Sequence, residues 1–322
     1  MLDASPPAAA PTLPISAVER DTGLSKDTLR VWERRYGFPQ PVRDENGERA
    51  YPADQVERLR LIARLLSSGL RPGRVVSMGL NELQQLVQEA SPAARQKPAD
   101  DAELYAYLEL VRSHDVHTLR RALNQAALRL GLACFVTELL GPLNLLIGDA
   151  WLRGEIHVFE EHMYTESVTA VLRSAIGTIT AAAGTSGPRV LLTTIPQEAH
   201  ALGLLMAETM LTLEGCDCVS LGVQTPLAEI VQAAVANQSQ IVGLSFSASL
   251  NANQVVQALQ ELRAKLPSAI SIWAGGSHAS LRRRDLAGIT PVQELDSIKP
   301  LLAQWRLSQA AASSTAKQVP GR

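Results

Sequence analysis

The chain has 322 residues, room for two or three domains of ~100–200 residues each, and 46% of them are apolar, enough to bury a sizeable core. Its 30 Lys and Arg against 32 Asp and Glu leave a formal charge of −2, which excludes a histone-like or polybasic protein while leaving space for a local basic patch. The three cysteines, Cys134, Cys216 and Cys218, are too few and too oddly spaced for a disulfide framework. No uninterrupted apolar run reaches the ~18 residues of a membrane span, so a cytoplasmic protein with no membrane partner is expected.

In chain order, residues 1–12 are Ala/Pro-rich, lack the charged start and apolar centre of a signal peptide, and read as a disordered tail. Residues 13–87 are Arg-rich and helical in pattern. Leu13 to Arg20 suits a short helix stopped at Gly23, and Ser25 offers an N-cap for a second helix, Lys26 to Tyr36. That helix carries Lys26, Thr28, Arg30, Trp32, Arg34 and Arg35. Two helices about a Gly-containing turn, the second rich in donors, form a helix-turn-helix. Guanidinium forks bind phosphate or guanine edges bidentately, and Thr28 can touch a thymine methyl. A charged helix alone fits a merely solvated face equally well. The hairpin-like wing that follows, with Arg43, Arg49 and Tyr51, favours the nucleic-acid reading.

The run Thr28-Leu29-Arg30-Val31-Trp32-Glu33-Arg34-Arg35-Tyr36-Gly37, then Pro41-x-Arg43 and Gly47-x-Arg49-x-Tyr51, closely resembles the MerR family of winged-helix regulators. It departs at Glu48, where many relatives carry an aromatic. The resemblance implies sequence-specific binding of double-stranded operator DNA by paired domains, with an effector module C-terminal to the winged helix.

Residues 88–101, with Pro92 and Pro98, suit a linker. Residues 102–184 show helical apolar periodicity and predict a four-helix bundle with helices near 102–111, 115–131, 134–150 and 158–182, turned or kinked at Gly141-Pro142 and Gly148. Residues 188–310 alternate short β-branched runs (189–195, 217–221, 240–246, 270–274, 291–294) with amphipathic segments at 200–213, 226–237, 251–265 and 296–309. They predict a doubly wound, five-stranded parallel sheet of flavodoxin-like order. Residues 311–322 read as a disordered tail. The fold class is therefore a multidomain α and α/β protein: winged helix, bundle, parallel sheet.

Glu198-x-His200-x-x-Gly203 directly follows the first strand of this last domain, where doubly wound folds bind ligands. An imidazole there can ligate a metal while the carboxylate two residues earlier braces its other nitrogen, although a lone His in such a loop is more often structural. Ser245 and Ser247 end the third strand, and Gly275 and Gly276 end the fourth. Together these features resemble the cobalamin-binding domain, with Glu198 in place of the commoner Asp and Ser247 in place of Leu. The resemblance implies that His200 is the lower axial ligand of cobalt and that the Ser and Gly loops flank the cofactor's nucleotide tail.

Trp151, followed by Val158, Glu161 and His162, fits ordinary bundle packing and an exposed helix start when taken alone. Beside the His200 motif, this set resembles that of the adenosylcobalamin photoreceptor regulators, the CarH/LitR-like group within the MerR family. That resemblance implies adenosylcobalamin as cofactor, with its upper group received by Trp151, Val158, Glu161 and His162. It further implies a tetramer that holds operator DNA in the dark, competes with RNA polymerase at promoters, and separates in light. Studied members carry a His directly after the Trp, where this chain has Leu152; corrinoid-level sensing without light is the competing reading. His114-x-x-His117 has zinc-like spacing with no evident third ligand, Cys216-x-Cys218 reads as packed strand, and His278 is placed near the cofactor tail. No catalytic triad or phosphate loop appears, and no segment remains for the ~250-residue substrate barrel that a cobalamin enzyme needs, so a non-enzyme is expected.

Overall fold

The computed structural model describes residues 12–67, 70–90, 101–179, 187–248, 250–283 and 286–317. The chain divides into two compact units, Met1–Pro98 with Gly148–Val158, and Ala99–Ile147 with Phe159–Arg322. Of the expected linker, residues 91–100 lie outside the described residues, as do 1–11 and 318–322 of the expected tails.

In the first unit, β1 (Thr12–Pro14), β2 (Val42–Arg43) and β3 (Arg49–Pro52) form an antiparallel sheet of order β1-β3-β2. Between β1 and β2 lie α1 (Ile15–Thr22) and α2 (Lys26–Tyr36). Gly23 ends α1 because it adopts φ 69°, letting its N–H close onto the Glu19 carbonyl at 2.9 Å. Two residues on, the Ser25 hydroxyl accepts the Thr28 N–H at 3.1 Å and opens α2. The wing turns at Asp44, whose carboxylate accepts the Asn46 and Glu48 N–H groups at 2.9 and 2.8 Å. Then α3 (Ala53–Ser67), α4 (Pro72–Val75) and α5 (Leu80–Ala90) complete the unit. Arg60 of α3 clamps Asp21 of α1 through two donors at 3.0 and 2.7 Å.

The core of this unit revises two expected DNA contacts. Trp32 is 5% exposed and Tyr51 is 0% exposed, packed with Val18, Leu29, Val56, Leu59, Ile62 and Leu83. Aromatics of this size stabilise most when removed from water, and here they bind the helix and wing to the scaffold. Arg49 is likewise engaged, its Nε donating to Glu33 at 2.9 Å so that β3 is tied to α2. Arg30, Arg34, Arg35 and Arg43 stay on the surface. Trp32→Ala should therefore lower the unfolding free energy by about 3–5 kcal/mol in denaturant titration, whereas Arg34→Ala should leave it within about 0.5 kcal/mol. Equal stability of the two variants would return Trp32 to the surface role.

In the second unit, α6 (Asp101–Arg112) and α7 (Val116–Leu130) lead into α8 (Leu132–Cys134), a π-helical turn (Phe135–Leu140), α9 (Gly141–Leu152) and α10 (Val158–Ile179), with Gly148–Val158 of the last two helices and their loop counted in the first unit. The chain stays helical through Gly141-Pro142 and Gly148 rather than turning there. Pro142 lacks a donor and crowds the preceding turn, and the wide π turn immediately before it accommodates that defect within a continuous helix. Taken whole, Leu132–Trp151 is long and apolar enough to cross a membrane by length and composition. A count of uninterrupted apolar residues passes over it because Glu138 and Asp149 interrupt the run. Its Phe135, Val136, Leu139, Leu140, Leu143 and Ile147 are buried, as suits a bundle core helix.

The sheet holds β4 (Arg189–Thr193), β5 (Asp217–Gly222), β6 (Ile241–Ser245), β7 (Ser271–Gly275) and β8 (Ile289–Val292), all parallel, in the order β5-β4-β6-β7-β8. Between them run α11 (Leu202–Leu213), α12 (Leu227–Ala236), α13 (Ala252–Lys265) and the short α14 (Ser280–Arg283). Leu191, Val242, Leu244, Ile272 and Ala274 of the strands meet Ile230, Val255, Leu259 and Leu262 of the helices in one core. The closing α15 spans Ile298–Lys317, extending past the expected end at 309 into the region read as tail; the run Ala310–Ala312 is strongly helix-favouring. The bundle is joined to α11 by polar links. Tyr164 donates to Asn144 at 2.5 Å, Asn144 to Met206 Sδ at 3.2 Å, and Arg173 to Glu208 at 2.6 Å.

Candidate functional site

The order β5-β4-β6 reverses direction between β4 and β6, so the chain leaves these two strands on opposite sides and opens a crevice at their carboxyl ends. The loops after β4 and β6 meet there through Glu198. Its carboxylate is 1% exposed. Oε1 accepts the His200 ring Nδ1–H at 2.6 Å and the His200 backbone N–H at 3.0 Å, while Oε2 accepts the Ser247 N–H at 2.6 Å. The loop is braced from beneath, where Thr194 donates its hydroxyl to the Glu198 carbonyl at 2.6 Å and accepts the Gln224 N–H at 2.8 Å.

Burial alone would raise the Glu198 pKa, but the hydrogen bonds from His200 and Ser247 outweigh it and hold the carboxyl below its ordinary value. In turn the hydrogen bond to Glu198 raises the His200 pKa against the opposing cost of burial, and the charges of Glu198 and Glu161 add to the rise. The His200 side chain is 69% exposed. With Nδ1 turned inward, Nε2 is the nitrogen offered outward. This is the arrangement a protein uses to fix a metal-binding imidazole in one tautomer and strengthen it as a donor, so the residues fit a cofactor metal bound through Nε2.

Small residues line the same strand ends. A Cβ on Gly203 would stand 3.0 Å from the Ser245 hydroxyl, so α11 begins hard against β6. Gly276, at φ 110°, lies so close to the Phe246 carbonyl that a Cβ would sit 2.2 Å from it. Ser277, next after Gly276 in the same loop, accepts the Ala248 N–H at 3.0 Å and ties the two loops together. His278 is used up locally instead of facing outward: it accepts the Ser280 N–H at Nδ1 (3.1 Å) and donates from Nε2 to the Leu250 carbonyl (3.0 Å).

The upper set divides between the units. Glu161 and His162 open α10, with His162 Nδ1 on Glu161 Oε2 at 2.7 Å and the Thr165 hydroxyl on Glu161 Oε1 at 2.7 Å. The charge of Glu161 adds to the rise at His200. Trp151 and Val158, both half-buried, belong to the other unit, where they flank a loop in which Arg153 bridges Asp149 and Glu155 at 3.6 and 2.7 Å. His114 is held by Glu160 at 2.8 Å, and among the described residues no group of three His, Cys, Asp or Glu is placed to hold a metal. Burial pushes the thiols of Cys216 and Cys218 up to about 12, leaving both protonated.

On the head, the face of α2 away from the core presents Arg30, Arg34 and Arg35, and the wing presents Arg43. Lys26 pairs with Glu19 at 3.6 Å, and the Thr28 hydroxyl is engaged with Ser25 at 2.8 Å.

A winged helix-turn-helix joined to a parallel sheet with a carboxylate-braced histidine at its switch point defines a DNA-binding protein with an appended ligand-binding type of domain. Residues 13–78 match the model of the MerR HTH family regulatory proteins, and residues 104–175 and 188–292 match two models of the B12 binding domain. The chain is 30% identical to the HTH-type transcriptional repressor CarH of Myxococcus xanthus over 264 residues, 80% of this chain and 86% of that one. It is 28% identical to the HTH-type transcriptional repressor CarA of the same organism over 296 residues, 91% of this chain and 96% of that one. The Methanosarcina barkeri monomethylamine corrinoid protein shares its fold with 65% of this chain, over 99% of its own length, at TM-score 0.51 and 16% identity. The chain belongs to the MerR-family transcriptional repressors that carry a cobalamin-binding domain.

The braced imidazole has a measurable consequence without cofactor. The charged His200 is favoured by folding, so its contribution to stability is fully present below the unfolded-state value of ~6.5 and is lost as pH rises through the higher folded-state value. The Glu198 contribution behaves oppositely and is lost as pH falls through its depressed value. By NMR titration His200 should protonate above the free-imidazole value in the wild type and fall back toward it in Glu198→Gln. An unchanged midpoint in that variant would contradict the brace.

Proposed function

We propose that this repressor is an adenosylcobalamin-dependent light sensor of the cytoplasm that binds operator DNA as a tetramer in the dark and releases it in light. The single observation that carries the reading is His200, exposed at Nε2 and locked at Nδ1 by buried Glu198, in the same chain as a basic winged helix. Bound adenosylcobalamin supplies a cobalt–carbon bond that visible light breaks. In this reading His200 would ligate the cobalt. Gly203, Ser245, Ser247, Gly275 and Gly276 would flank the nucleotide tail, and Trp151, Val158, Glu161 and His162 would receive the adenosyl group. Glu161 and His162, already hydrogen-bonded to each other, offer a carboxylate acceptor and an exposed imidazole to the hydroxyls and base of that group.

Arg30, Arg34, Arg35 and Arg43, with Lys26 beside them, donate to phosphates and base edges. Linking several heads in one assembly raises the effective concentration of each at the operator, so separation of the assembly lowers affinity without any change in the heads themselves. Occupancy then excludes RNA polymerase from the promoter. A second reading, response to corrinoid level alone, is favoured by one residue: Leu152 occupies the place where studied relatives offer an imidazole.

Operator affinity of the full chain, followed by anisotropy with no cofactor, methylcobalamin or adenosylcobalamin, separates the two. Tight binding only with adenosylcobalamin in the dark, lost by at least tenfold on green illumination, is expected. Equal binding in dark and light would establish the corrinoid-level reading instead. His200→Ala should abolish retention of the cofactor through gel filtration, and full retention with an unaltered absorption spectrum would remove His200 from cobalt.

A further inference from the structure

One residue on the basic face of α2 has no structural reason to be apolar. Val31 is 43% exposed, in a helix whose core contacts are made by Leu29 and Trp32. At about 100° per residue it lies about 160° around the helix from Leu29, and about 40° from Asp27 and 60° from Arg34. It therefore stands in the middle of the surface formed by Asp27, Arg30, Arg34 and Arg35. A β-branched side chain is a poor helix former, and a solvent-facing valine contributes nothing to this unit's core, so folding does not account for it.

Its neighbours do. Arg30 is held by Asp27 at 3.2 Å, a pair that keeps its guanidinium over the same face. Thr28, the residue expected to touch a thymine methyl, is half-buried at the start of the helix with its hydroxyl on Ser25 at 2.8 Å, which leaves its own methyl as a second apolar group. Among these donors the larger and more exposed apolar surface is the pair of Val31 methyl groups, Val31 being exposed where Thr28 is half-buried. In the major groove the apolar feature that distinguishes one base from the other three is the thymine 5-methyl.

We propose that Val31 is a specificity-determining residue that packs against a thymine methyl in each operator half-site, with the surrounding arginines supplying affinity. This rests on the DNA-binding reading of α2. The gain expected from removing about one methyl contact from water corresponds to roughly a three- to fivefold change in affinity per half-site.

The test uses the full-length protein and a duplex enriched from a randomised pool. Each thymine of that duplex is replaced in turn by uracil, which deletes the methyl and leaves every hydrogen-bonding group in place. Wild type should lose about three- to fivefold at one thymine per half-site. Val31→Ala should bind the thymine duplex correspondingly more weakly and no longer distinguish uracil at that position, with an unchanged melting midpoint. Wild type indifferent to every uracil substitution, or V31A retaining the full discrimination, would overturn the assignment. Failure to enrich any duplex would instead overturn the DNA-binding reading on which it stands.

Discussion

A buried carboxylate is costly unless each oxygen is satisfied, and Glu198 is satisfied in a way that builds the site. One oxygen holds both the ring and the backbone N–H of His200; the other reaches across the crevice to the Ser247 N–H. These are hydrogen bonds to a charged acceptor, each worth about 1.5–3 kcal/mol, and together they fix the loop after β4 to the loop after β6. Remove the carboxylate and three donors lose their acceptor, the imidazole loses its tautomer, and the crevice loses its cross-tie. Glu in place of Asp is accommodated here because its longer side chain still reaches both loops.

The rest of the second unit serves that interaction. The strand order places the two loops side by side, and glycine at position 203 lets α11 start against Ser245. The Tyr164–Asn144–Met206 chain and the Arg173–Glu208 pair attach the helices carrying Glu161 to the helix that begins just after His200. A disturbance at the crevice therefore meets groups from both layers of the unit through part-buried polar contacts.

Much of this was legible in the residue pattern. The alternation of β-branched runs with amphipathic stretches gave every strand of the parallel sheet and its order class, and the spacing of Ser25, Arg30, Arg35 and Gly37 placed the second helix of the head. What escaped depended on partners far apart in sequence. Arg49 finds Glu33 across the wing, and Ser247 finds Glu198 across the crevice. By residue type Trp32 and Tyr51 suit nucleic-acid contacts, but the stripe Leu29, Trp32, Tyr36, at helical spacing, is the sign that points to the core. Removing Trp32 from that surface is what leaves Val31 conspicuous. Local rules applied to Gly141-Pro142 predict a turn or kink, whereas the π turn just upstream keeps the helix continuous.

The central claim is that Nε2 of His200 binds cobalt in place of the cofactor's own base, and electron paramagnetic resonance tests it most directly. Cobalamin in its paramagnetic cobalt(II) form, bound to the full chain grown with nitrogen-15 histidine, reports the axial nitrogen through its superhyperfine splitting. The account predicts that the triplet splitting given by ordinary nitrogen becomes a doublet. A triplet unchanged by the label would mean that the base of the cofactor stays on the metal and that His200 does not bind it.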